Sequence, residues 1–371
     1  MRRLWLDMVI KADWILFGSL LALTVVGLLM VYSIGASYET SSLLQFKKQI
    51  VAVLMGLAGL IVLTILDYRQ VRSLGAVVYV GGLVLLVAVL VFGSTIRGTQ
   101  GWFRVGALSF QPVELAKVTF AVFLAAYFSK HVYRRLTWVA FFGSVVALMG
   151  YVIPVLAQPD FGSAMVLVAM WLVGVSFAGM KWKAWVLLLV VGVAGSLALW
   201  QFGLKPYQKD RLMSFVNPQM DPLGAGYNVI QAQTAIGSGG LLGKGMGEGS
   251  QSRLRFLPEA STDFMFAVVG EELGFVGVGL ILALFAAVLI RLLLIGRAAE
   301  DQFVGIYCGM IAGMFGMHVL VNAGMNLGIM PVTGIPLPFA SAAASSLVAG
   351  YLAIGLAQSA AIHGPAAAER R

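Results

Sequence analysis

The stretch WILFGSLLALTVVGLLMVYSI, Trp14 to Ile34, runs twenty-one residues without a charge. At about 1.5 Å of rise per residue, a helix of that length covers the ~30 Å hydrocarbon core of a bilayer. Arg2, Arg3 and Lys11 precede it. It outruns the roughly 7 to 15 apolar residues of a signal-peptide core, so it reads as a first transmembrane helix that is retained. Working outward, nine further apolar runs lie near 49–66, 74–93, 113–129, 136–156, 163–179, 184–203, 264–290, 303–321 and 341–362. The expected fold class is an all-α, polytopic membrane protein. It has about ten transmembrane helices in one integral membrane domain, 1–371, with a large outer loop, 204–262, between helices seven and eight.

Composition supports this reading. Of 371 residues, 60% are hydrophobic and 11% charged, where a soluble domain carries roughly 25% charged residues. Mean hydropathy is +0.92. The 44 glycines and 11 prolines are scattered through apolar runs, which excludes collagenous and disordered classes. The lone cysteine, Cys308, forms no intrachain disulfide. A net charge of +9 would suggest nucleic acid in a soluble chain, but here membrane topology accounts for it and no nucleic-acid partner is expected.

The termini and even-numbered connections hold fourteen Lys and Arg: Arg2, Arg3, Lys11, Arg69, Arg72, Lys130, Arg134, Arg135, Lys181, Lys183, Arg291, Arg297, Arg370 and Arg371. The short odd-numbered connections hold four, Lys47, Lys48, Arg97 and Arg104. The positive-inside rule then places both termini in the cytoplasm. The unusual polar sequence falls outside: Arg97 to Arg104 running on to Gln111-Pro112, Gln158-Pro159-Asp160, the loop Lys205 to Thr262, and Asn322 to Pro338.

Several chemistries fail on spacing. Gly237 to Gly249 holds seven glycines in thirteen residues, yet Lys244 is followed by Gly245, so there is no Walker A loop, and no dinucleotide fingerprint is present. His131, His318 and His363 are too dispersed for a zinc site. No nucleophile elbow occurs, and no fixed-period repeat points to a two-halved transporter. What remains is a set of ionisable residues in or beside apolar runs, where a charge costs about 2.5 to 3.5 kcal/mol on the translocon scale. Glu114 and Lys117, three apart on one helix face, read as a self-neutralising ion pair. Asp263 opens the eighth run, with Glu271 and Glu272 further along. None has a basic residue on the adjoining turn, which points to acid/base or cation-binding chemistry for at least one of the three carboxylates. The alternative is a helix N-cap built from Ser261, Thr262 and Asp263.

An outward-facing site has no cytoplasmic ATP and requires a substrate that arrives activated. A lipid-linked diphosphate sugar fits. Its transfer needs a carboxylate to take a proton from an acceptor hydroxyl, and cations to receive the leaving diphosphate. Asp263 answers the first need. Arg97, Arg104, Lys244, Arg253 and Arg255 answer the second, or else a divalent cation, magnesium or manganese, whose presence and identity the sequence does not give. Two other classes, a flippase for lipid-linked precursors and a non-catalytic scaffold for a transpeptidase, explain the helices but not the placement of these carboxylates.

These residues also carry a resemblance. Asp221-Pro-Leu-Gly-Ala-Gly-Tyr227, Ala235-Ile-Gly-Ser-Gly-Gly240, Gly243-Lys-Gly245, Phe256-Leu-Pro-Glu259, Thr262-Asp263-Phe264 and Gly270-Glu-Glu-Leu-Gly274 strongly resemble the SEDS family of bacterial shape, elongation, division and sporulation proteins. Gln111-Pro112, Gln158-Pro-Asp160 and Asn322 to Pro338 extend the likeness over nearly the whole chain, nearer the elongation branch than the division branch. The resemblance implies ten helices in the bacterial cytoplasmic membrane. It implies a glycosyltransferase that polymerises lipid II into peptidoglycan at the outer face, with a class B penicillin-binding protein as transpeptidase partner. It also implies that Asp263 is catalytic, that Arg97, Trp102, Gln111, Asp160 and Glu259 surround it, and that Glu114 and Lys117 form a pair. Ser261 stands where the family usually has histidine, and Ala342-Ala343-Ala344 where it commonly has two glycines.

Overall fold

The computed structural model describes residues 10–36, 43–96, 98–106, 108–131, 136–198, 200–201, 225–254 and 256–364. Among them the apolar runs form α1 (Trp14–Ala36), α2 (Leu44–Ile65), α4 (Gly75–Phe92), α5 (Pro112–His131), α6 (Trp138–Ala157), α7 (Phe161–Phe177), α8 (Trp182–Ala198), α12 (Gly274–Ala298), α13 (Gln302–Asn326) and α14 (Ala344–His363). Eight of these are long and apolar enough to cross a membrane. The other two, α7 and α8, have 17 residues each, the lower end of the spanning range. Short helices α3 (Tyr68–Ser73), α9 (Ala225–Ser238), α10 (Ser250–Arg253) and α11 (Met265–Glu272) complete the set. The helices are apolar on every side because each faces either protein or lipid, and a helix satisfies its own backbone where no water is available. The chain is an integral membrane protein.

Hydrogen-bonding side chains mark several helix starts. Thr137 accepts the Ala140 N–H at α6, Asp160 the Ser163 N–H at α7, and Asp301 the Phe303 N–H at α13. The centre of the bundle is α5, α13 and α14, with 72%, 67% and 78% of their most apolar stretches buried, against 22% for α4. Helix α14 lies against α2. A Cβ on Gly355 would stand 2.8 Å from the Leu60 carbonyl oxygen, so only glycine permits this approach.

Two features differ from the sequence expectation. The connection between α4 and α5 is a three-stranded antiparallel sheet, β1 (Ser94–Ile96), β2 (Thr99–Val105) and β3 (Leu108–Phe110). Ser94 pairs with Trp102, and Phe103 with Phe110. The eighth run is also broken. Gly274, at φ 67°, adopts a left-handed conformation that interrupts the helix, separating buried α11 from the spanning α12. The span therefore starts about ten residues later than its hydrophobicity suggests, because the apolar residues before the break are buried in protein.

At one end of the bundle Arg291 of α12 reaches Asp13, Nη2 to Oδ2 at 2.6 Å and Nε to Oδ2 at 2.8 Å. Asp13 and Gln358 of α14 exchange N–H and carbonyl hydrogen bonds at 2.9 and 2.8 Å. Arg72 meets Asp301 at 2.7 Å at the same end. Of the basic residues counted for topology, Arg2, Arg3, Arg97, Arg134, Arg135, Arg370 and Arg371 lie outside the described residues, as do the segment Asp221–Gly224 and 204–220 of the large loop.

Removing one partner of a buried pair leaves the other uncompensated, at about 3 to 5 kcal/mol. The Asp13 side chain is 5% exposed. Arg291→Met should therefore lower the thermal unfolding midpoint in detergent, and adding Asp13→Asn should recover part of the loss. Unchanged unfolding of the single variant would show that the pair contributes nothing.

Candidate functional site

Successive spans run antiparallel, so the odd-numbered connections meet at the end opposite the Asp13–Arg291 pair. A cavity of about 600 Å³ opens there. Its walls come from β1 and β2, the starts of α5 and α7, the turn before α11, and the segment between α13 and α14. Trp102, Gln111, Glu114, Lys117, Asp160, Glu259, Thr262, Asp263 and His318 line it. Trp102, Gln111, Asp160 and Glu259, far apart in sequence, thus line the same cavity as Asp263.

The turn bearing Asp263 is built tightly. Glu259 adopts a left-handed backbone at φ 56°, an arrangement that costs an ordinary residue roughly 1 kcal/mol or more and clusters at functional sites. Its carbonyl accepts the N–H groups of Thr262, Asp263 and Phe264 at 3.1 to 3.3 Å. The Asp263 carbonyl accepts from Asn322 Nδ2 at 2.9 Å and from Asn326 Nδ2 at 3.2 Å. Asn322 Nδ2 also donates to the Ile335 carbonyl at 2.8 Å. Ser341 Oγ donates to the Thr262 carbonyl at 2.7 Å. Helix α11 begins after Phe264, which makes no side-chain cap, so Asp263 lies one residue before the cap position.

Asp160 serves two purposes. It caps α7 through Ser163, and its Oδ2 accepts from Gln111 Nε2 at 3.3 Å. Withdrawal from bulk water raises its carboxyl above the usual range, while the Ser163 hydrogen bonds pull the other way. Glu114 and Lys117 are buried and paired at 2.8 Å. The Lys117 ammonium also lies 3.1 Å from Nε2 of His318 on α13.

Other site expectations are placed differently. Arg97 and Arg255 lie outside the described residues. Lys244 is not among the cavity-lining residues: its Nζ contacts Ser250 Oγ at 2.9 Å and Glu271 Oε1 at 3.2 Å. Glu271, which lacks a local cation in sequence, therefore gains one from 27 positions away. It also accepts the backbone N–H groups of Gln251 and Ser252. Its neighbour Glu272 accepts from Ser33 Oγ at 2.6 Å. These two carboxylates hold the glycine-rich loop and α1 against the break before α12. Arg253 pairs with Glu248 at 3.7 Å on the surface. For a divalent cation, the described residues offer no group of three or more His, Cys, Asp or Glu side chains able to hold a metal, so the donor set does not fit a preformed site.

Sequence reasoning missed His318, Asn322 and Asn326 as a set. All three are almost fully buried. The available signal was their spacing, polar residues four apart along an otherwise apolar helix, which places them on one face. Ser261 and Ala342, the two departures from the family pattern, prove to touch: the Ala342 N–H donates to the Ser261 carbonyl at 2.7 Å.

Residues 13–364 match the family model for the FtsW, RodA and SpoVE cell cycle proteins. The chain is 36% identical over 343 residues to the peptidoglycan glycosyltransferase MrdB of Escherichia coli K12, covering 92% of this chain and 90% of that protein. It is similar to a chain of a solved peptidoglycan synthase complex that coordinates polymerization and crosslinking, with TM-score 0.81, 32% identity, and 94% and 97% of the two chains covered. It is also similar to the rod shape determining protein RodA of Thermus thermophilus, with TM-score 0.71, 30% identity, and 95% and 97% covered.

For the Glu114–Lys117 pair, Lys117→Met should destabilise by about 3 to 5 kcal/mol, because Glu114 is left buried and unpaired. Glu114→Gln with Lys117→Met should unfold at a higher temperature than Lys117→Met alone. Thermal unfolding in detergent reads both, and equal midpoints for all three proteins would mean the pair is not held in the interior.

Proposed function

The chain belongs to the FtsW, RodA and SpoVE family of cell cycle proteins, and on that premise we propose that it is a peptidoglycan glycosyltransferase in which Asp263 is the general base. The substrate is lipid II, and the reaction takes place at the outer face of the bacterial cytoplasmic membrane. The hydroxyl of the acceptor sugar attacks the anomeric carbon of the lipid diphosphate-linked strand. As the new glycosidic C–O bond forms, the hydroxyl proton passes to the Asp263 carboxylate. The bond from the anomeric carbon to the diphosphate breaks, and the diphosphate departs with the electron pair.

The observation that carries this reading is the placement of Asp263. Its carboxylate lines a 600 Å³ cavity, while two asparagines grip its carbonyl from a neighbouring helix. A base whose backbone is held in place presents its carboxylate to a substrate in a fixed position, which is how preorganisation contributes to rate. Gln111, Asp160 and Glu259 are the polar groups positioned to bind sugar hydroxyls, with Trp102 as an apolar wall. Lys244 is assigned instead to the loop that carries α10. A divalent cation at this site would be held by one or two carboxylates together with the substrate diphosphate, whose leaving charge it would neutralise. The partner is a class B penicillin-binding protein supplying the crosslinking activity, and the motif runs favour a role in elongation.

Orientation follows from charge. The cavity lies at the end poor in Lys and Arg, so both termini face the cytoplasm and the cavity faces outward. A cysteine at Gly237, exposed and with open space around its Cβ position, should react with an impermeant thiol reagent on intact spheroplasts. One at the exposed Lys183 should not, and native Cys308 is buried. Labelling at Lys183→Cys alone would invert the topology.

General-base catalysis contributes about 10² to 10⁴ in rate. Asp263→Asn should therefore abolish detectable lipid II polymerisation by the purified protein with its transpeptidase partner, while leaving thermal stability near wild type. Full polymerase activity of this variant would move the base elsewhere.

A further inference from the structure

Resting on the glycosyltransferase reading, we infer that His318 is a positioning residue for the reaction, holding the Lys117 ammonium at the floor of the cavity in fixed relation to Asp263. Lys117 is 1% exposed and lines the cavity. An ammonium has three N–H donors and no acceptor. One is directed at Glu114 Oε1, 2.8 Å away, and one at His318 Nε2, 3.1 Å away. His318 therefore accepts through Nε2 and is neutral, with its proton on Nδ1. The third N–H of Lys117 is left for an oxygen of the bound lipid-linked sugar.

Glu114 alone does not fix the direction of that third donor. Both members of the pair sit on α5, and a lysine stem with four methylenes swings readily about a single hydrogen bond. His318 supplies the second point, from a different helix. It also belongs to the face of α13 that grips the catalytic turn: Asn322, one turn on, and Asn326, two turns on, both donate to the Asp263 carbonyl. One rigid helix face thus holds Lys117 at one level and Asp263 about one to two turns, roughly 5 to 11 Å, further along. Burying an imidazole and two amides in an apolar helix costs free energy unless each is matched. Here His318 Nε2 meets the Lys117 ammonium, and the Nδ2 groups of both asparagines donate to the Asp263 carbonyl.

The test is a lipid II polymerisation assay on the full-length protein with its transpeptidase partner, alongside thermal unfolding in detergent. Loss of a hydrogen bond to a charged group predicts that His318→Leu lowers kcat/KM by about tenfold or more, with an unfolding midpoint close to wild type. Glutamine can accept the same bond through Oε1, so His318→Gln should recover most of the loss. His318→Asn, polar but too short to reach Lys117, should resemble His318→Leu, and serves as the reading if the leucine variant is poorly folded. Wild-type efficiency in His318→Leu and His318→Asn would overturn the inference. So would a His318→Gln variant that folds but is as impaired as His318→Asn, since the imidazole would then act otherwise than as an acceptor for Lys117. A wild-type chain that polymerises nothing would overturn the glycosyltransferase reading itself, and this inference with it.

Discussion

The side-chain amide of Asn322 directs its two N–H groups to carbonyls from two different irregular segments, Asp263 in the turn before α11 and Ile335 in the connection before α14. Irregular backbone near a membrane is tolerated only where protein or a water-lined cavity satisfies its polar groups. Asn322 meets that constraint for both segments at once. Asn326 adds a second donor to Asp263 and accepts the Ala267 N–H, while Ser341 closes the opposite side by donating to Thr262. The turn bearing Asp263 is thereby a fixed part of the bundle rather than a loop lying over it.

The buried charges divide by what surrounds them. Asp13 with Arg291, and Arg72 with Asp301, tie spans together at the basic end. Glu271 is enclosed by Lys244, serines and two backbone N–H groups, which makes it an organiser of the glycine-rich loop. Asp263 differs because it faces a cavity large enough for a substrate. The three carboxylates that look alike along the eighth apolar run therefore sit in two kinds of surroundings, all of them before the break at Gly274.

The two departures from the family pattern lie in one place. Ser261 offers its carbonyl to Ala342, so whichever side chains stand at these positions, the backbone connection between them brings the turn bearing Asp263 against the start of the segment leading into α14. Ala342 and Ala343 line the cavity. Methyl groups there narrow the space that glycines would leave, which is a difference in cavity shape.

The sequence by itself determined the ten apolar helices and the Glu114–Lys117 pair, and it singled out Asp263 and the end poor in Lys and Arg as the candidates for the proposed chemistry. Each of these is written locally, in run length, in charge asymmetry between connections, in a spacing of three on one helix, or in a motif. Only the tertiary structure decided that the α4–α5 connection is a small sheet, that Lys244 belongs to Glu271 rather than to the cavity, and that His318 meets Lys117 across 201 positions. Those outcomes depend on which helix faces oppose one another. Hydrophobicity is uniform around helices with lipid on one side and protein on the other, so it leaves the facing undetermined, and packing alone settles it.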